Sequence, residues 1–144
     1  MKNILVALDF KTETGKLVDT AQEYSRAFNA KIWLIHAVAP NPDFVGFEAG
    51  PQSVRDNRAE EIKEEHKEIT NWSNQLVNEG HEAEGLMIQG ATVDTILEEA
   101  KKLEAELIII GHHEHSAMYK LLIGSRDTEL IKKSSIPVLI VPLD

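Results

Sequence analysis

The chain has 144 residues, no cysteine, and 24 Asp plus Glu against 15 Lys plus Arg, for a formal charge of −9. Such a length implies one domain, residues 1–144, able to bury about two thirds of its unfolded surface. The missing cysteines exclude disulfides, thiolate metal sites and cysteine nucleophiles, and the acidic balance repels the phosphate backbone of a nucleic acid.

In chain order, the first apolar run, Ile4 to Leu8, reads as a strand ending in Asp9. The segment MKNILVALDF has neither a basic region nor a cleavage site, and no run reaches the roughly 18 apolar residues of a membrane span, so a cytoplasmic protein without a membrane partner is expected. Leu17, Val18, Ala21, Tyr24 and Phe28 recur at helical spacing, and Ile32 to Val38 forms a second strand through His36 and Ala37. Asn41 to Val54, rich in Gly and Pro and carrying Phe44 and Phe47, is longer than ordinary connections and reads as a mobile loop. Ile62, His66, Ile69, Trp72 and Leu76 make a second helical stripe, on which His66 and Trp72 read as packing residues. The charges of RAEEIKEEHKE then fall mostly on the opposite, solvated face.

A third strand is expected at Leu86 to Ile88, a third helix from Val93, Ile96, Leu97, Ala100 and Leu103, and a fourth strand at Leu107 to Ile110. A short fourth helix containing Leu130 and Ile131 and a last strand, Val138 to Val141, complete the chain. The strands are almost continuously apolar, which suits a parallel sheet covered on both faces. With right-handed crossovers the order βαβαβαβαβ gives an α/β fold, a doubly wound three-layer sandwich.

Ligands of such sheets bind beyond the carboxyl ends of the strands, where the strand order reverses. The segment GHHEHSAMYKLLIGS, residues 111–125, leaves the fourth strand there. Gly111 would let the backbone turn, Gly124 would allow close approach of a ligand, and Ser125 would open the last helix, whose free N–H groups attract phosphate. A plain glycine turn with a serine N-cap, complemented by Asp127 and Glu129, fits the same spacing, and both readings stay open. His112, His113 and His115 with Glu114 are ligand types for zinc or nickel. In an extended loop, however, His112 and His113 point apart, and the i, i+4 spacing of a helical metal motif is missing. A polar loop at the ligand mouth is the reading adopted, with protonated imidazoles able to offset Glu114. No G-x-S-x-G elbow, complete Walker motif or catalytic pair occurs.

The stretches NILVALDF, LIHAVAP, GATVDTILEEAKKLEAELIIIG, GS and SSIPVLIVP resemble the universal stress protein family from end to end. The resemblance implies a Rossmann-like five-stranded parallel sheet in the order 3-2-1-4-5 with four helices, so that Asp9 faces Gly111. Nucleotide-binding members carry G-x2-G-x9-G-[ST]; this chain keeps Gly111, Gly124 and Ser125 but has Glu114 at the middle glycine. By resemblance Asp9 meets the adenosine portion, the Ala37 backbone meets the adenine, and the phosphates lie at Ser125, where Arg126 and Lys120 offset Glu114 and Asp127.

The function implied is an ATP- or AMP-binding module in stress signalling that passes its state to an unidentified partner and assigns no catalytic residue. It would act as a homodimer paired through Val138, Leu139, Ile140 and Val141, with Pro137 and Pro142 bounding the interface. One alternative is a dimeric interaction protein of the branch that binds no nucleotide, which Glu114 favours. The other is a slow ATPase or phosphotransferase holding Mg²⁺ on Asp9.

Overall fold

Runs dominated by Ile, Leu and Val suit a sheet covered on both faces, and all five such runs are strands in a computed structural model that describes residues 1–8, 13–38, 52–90, 93–112 and 133–143, with side chains in the third stretch from residue 59 onward. The strands are β1 (Asn3–Leu8), β2 (Lys31–Val38), β3 (Ala83–Gln89), β4 (Leu107–His112) and β5 (Val138–Pro142). The helices between them are α1 (Thr14–Phe28), α2 (Gln52–Asn78) and α3 (Val93–Lys102). All strand pairs are parallel and the order is β3-β2-β1-β4-β5. The expected fourth helix around Leu130 and Ile131 lies outside the described residues.

Alternate residues of each strand feed the two layers. Ile4, Val6, Leu8, Ile32, Leu34, Leu107 and Ile109 pack with Leu17, Val18 and Ala21 of α1 and with Ile69 and Leu76 of α2. Leu5, Ala7, Ile35, Ala37, Ile108 and Ile110 pack with Val93, Ile96 and Ala100 of α3. Every residue of β1 from Ile4 to Leu8 is buried, as the central strand of a doubly covered sheet must be. One glycine makes the α2 layer fit. A Cβ on Gly85 of β3 would stand 2.9 Å from Ile69 Cγ1, so the missing side chain lets α2 seat on the sheet.

Helix α2 departs from the expected stripe. It begins at Gln52, inside the segment expected to be loop, and residues 41–51 lie outside the described residues. Ile69, Ser73 and Leu76 are buried and Trp72 is half-buried, but Ile62 and His66 are exposed, so His66 is a surface residue and not a packing one. Stepping back from Ile69 by four residues gives Glu65, the residue that is half-buried in that turn. The exposure of the remaining residues from 59 to 68 agrees with a solvated face. Phe28, at the end of α1, is likewise 49% exposed because the helix stops at Asn29, whose left-handed conformation turns the chain away.

The amino ends of the strands are tied at every junction. Lys31 N–H donates to the Lys2 carbonyl, Ile32 N–H to Glu82, Glu106 N–H to Asn3, and Ile108 N–H to Pro137, all at 2.8–3.0 Å. Side chains add to this edge: Trp33 Nε1–H donates to Asn3 Oδ1 at 3.1 Å, and Ser25 Oγ–H donates to the Ala30 carbonyl at 2.7 Å while the His81 ring stands 3.1 Å from the same oxygen.

Candidate functional site

The carboxyl edge is built differently. The β1–β2 register runs to Leu8↔His36 and the β4–β5 register to His112↔Pro142, but the β1–β4 register stops at Val6↔Ile109. Counting two residues on from that last pair brings Leu8 and Gly111 to the same level on strands no longer paired. β1–β4 pairing therefore ends earlier than its neighbours' at the point where the strand order reverses, the place at which sheets of this kind bind ligands.

Of the residues that the nucleotide and loop readings single out, three are described. Ala37, on β2, is 7% exposed with its side chain in the α3 layer. Gly111 is buried within β4, opposite Val141, and the chain does not turn there as the glycine reading expected. A Cβ at Gly111 would stand 2.6 Å from Leu143 Cδ1 and 3.3 Å from Leu17 Cδ1, so close packing explains this glycine. His112 is the half-buried last residue of β4, and its carbonyl accepts from Leu143 N–H at 2.9 Å. Asp9, His113, Glu114, His115, Lys120, Gly124, Ser125, Arg126 and Asp127 lie outside the described residues.

Two residues the sequence did not single out stand at this edge. His36 is buried, with Nδ1 at 2.8 Å from the Leu8 carbonyl oxygen and Nε2 at 3.1 Å from a carboxylate oxygen of Glu65 on α2. A carbonyl only accepts, so Nδ1 carries a proton and donates it. The arrangement ties the last residue of β1 to α2 through β2. A histidine in the middle of an apolar strand was the only available signal, since its partner lies 29 residues on in a run of exposed charges.

A family model described as the universal stress protein family matches residues 1–142. The chain belongs to the universal stress protein family. Universal stress protein A of Salmonella typhi is 32% identical over 144 residues, covering 99% of this chain and 94% of that protein. Among solved structures, the universal stress protein from Archaeoglobus fulgidus in complex with dAMP is 19% identical, with a TM-score of 0.66 and 97% of each chain covered. An Arabidopsis thaliana universal stress protein family protein with AMP bound is 16% identical, with a TM-score of 0.67, covering 100% of this chain and 93% of that one. At those identities the likeness establishes the Rossmann-like fold.

Elsewhere on this universal stress protein, a groove of about 550 Å³ opens at the amino edge between Lys2, Arg26, Lys31, Glu79, His81 and Glu82. Its charges are mixed, and it lies where α1 and α2 end, with carbonyl groups leading, so it offers phosphate no helix N-terminus. Among the described residues no group of three or more His, Asp or Glu side chains is placed to hold a metal, and no helix is long and apolar enough to cross a membrane.

Proposed function

We propose that this protein is a single-domain, cytoplasmic, adenine-nucleotide-binding stress-response module that holds ATP or AMP in the crevice between β1 and β4. The observation that carries the reading is the end of β1–β4 pairing at Val6↔Ile109, beyond which Leu8 and Gly111 stand at the same level on the two strands. The dAMP and AMP held by the two solved relatives support the same ligand class. In this reading Asp9 meets the adenosine portion, the Ala37 backbone meets the adenine, and Gly111, Gly124, Ser125 and Arg126 form the phosphate side, with Mg²⁺ accompanying ATP at Asp9. The loop His112, His113, Glu114 and His115 adjusts the charge near the phosphates, and the protein turns over nucleotide slowly or not at all.

Calorimetric titration with ATP and AMP tests the reading, together with mass spectrometry of nucleotide that co-purifies. Gly124→Val should abolish binding while the thermal midpoint stays within a few degrees; equal affinity in that variant removes the phosphate role of residues 124 and 125. Glu114 favours a second reading, an interaction protein without nucleotide, and absence of binding by the unaltered protein would select it.

The homodimer is proposed through the β5 edge. Ile140 is the exposed large apolar residue of this strand, at 37%, whereas Val141 is buried and Leu139 packs toward α1 and α2. Ile140→Lys should give a monomer in sedimentation, because burying an unpaired ammonium costs several kcal/mol. A dimeric Ile140→Lys protein would place the interface elsewhere.

A further inference from the structure

The paired carbonyl of Leu8 belongs to the residue immediately before Asp9, and His36 immediately precedes Ala37, so one imidazole touches the roots of both segments to which the nucleotide reading assigns adenosine contacts. We infer that His36 is a positioning residue of the nucleotide site: its Nδ1–H fixes the last carbonyl of β1, and Glu65 fixes the ring, so that the chain leaves β1 in one direction. This inference rests on the nucleotide reading above and adds to it a residue that need not touch the ligand.

The physical grounds are local. At the end of a strand the last carbonyl has no guaranteed ladder partner, and a side-chain donor supplies one. The 2.8 Å Nδ1 contact is made by a buried ring, where a hydrogen bond competes little with water. Glu65 is the half-buried charged residue of its turn, and at 3.1 Å from Nε2 it holds the ring from the other side. The two neighbours of His36 across the sheet, Leu8 and Met87, are apolar, and Glu65 is the charged group that α2 presents to the ring. A helix that moves against the sheet thus moves the donor that holds the Leu8 carbonyl, which couples α2 to the nucleotide crevice.

Two isosteric substitutions separate the two bonds. The amide nitrogen of an Asn side chain falls near the position of Nδ1, and that of Gln near Nε2. His36→Asn can therefore still donate to Leu8 but loses Glu65, whereas His36→Gln can reach Glu65 but releases Leu8. Titrating each folded protein with ATP and with AMP, and recording its thermal midpoint, should show binding weakened about tenfold in His36→Gln and most of that loss recovered in His36→Asn, irrespective of which variant is the more stable. Nitrogen-15 spectra of the unaltered protein should show a proton on Nδ1 of His36, and the amides of residues 9–12 should shift in His36→Gln and return toward their original positions in His36→Asn. Wild-type affinity in His36→Gln, or affinities that simply follow the thermal midpoints, would overturn the positioning role alone. No binding of either nucleotide by the unaltered protein would overturn the nucleotide reading and this inference with it.

Discussion

The two edges of the same sheet are finished in opposite ways. At the amino edge every junction between neighbouring strands is closed by a backbone hydrogen bond, and Asn3, Trp33, Ser25 and His81 add side-chain ties. At the carboxyl edge the β1–β4 register covers three residue pairs, against six for β1–β2, seven for β2–β3 and five for β4–β5, so among the described residues β1–β4 pairing is the shortest. The His36–Glu65 contact is the described side-chain tie that reaches back into the open edge.

Substitutions can sharpen that contrast. The largest effect is expected from Gly111→Val, which places carbon into the Leu143 side chain and should cost about 3 kcal/mol in denaturant unfolding. Adding Leu143→Ala should recover part of this, a non-additivity that a role in turning the chain would not produce. At the amino edge, Ser25→Ala leaves the Ala30 carbonyl and the His81 ring without their shared hydroxyl and should cost about 2 kcal/mol. Its affinity for ATP should equal that of the unaltered protein; a loss of affinity would break the separation of the two edges. Smaller still, Glu114→Gly should tighten ATP binding about tenfold, or about 1.4 kcal/mol, by removing a like charge and restoring backbone freedom. Unchanged or weaker binding in calorimetry would make Glu114 neutral or a contact of the ligand.

The strands were legible because a doubly covered parallel sheet demands uninterrupted apolar runs, and β1, β2, β4 and β5 carry them openly. β3 was recognised only at Leu86 to Ile88, since Glu84 and Gln89 are exposed on this edge strand and Gly85 carries no side chain to mark it. The strand order came from the family resemblance, not from periodicity, which is silent about neighbours. On α2 the spacing of Ile62, Ile69 and Leu76 by seven suggested the buried face, but Ile62 is exposed while Glu65 turns inward. A carboxylate is drawn to a half-buried position by a partner such as His36, and a contact between residues 29 apart leaves no local periodic trace. Gly111 was read as a turn, yet what makes it a glycine is the approach of Leu143, a residue 32 positions later.

The most direct test of the contrast between the edges is an amide chemical-shift titration of the unaltered protein with AMP and ATP. The expected result is that Leu8, Ala37, Gly111 and His112 shift in proportion to occupancy while Asn29, Gly80, His81 and Lys31 stay fixed. Shifts centred on Lys2, Arg26, Lys31 and His81, or no shifts at saturating nucleotide, would contradict the assignment of ligand recognition to the open edge.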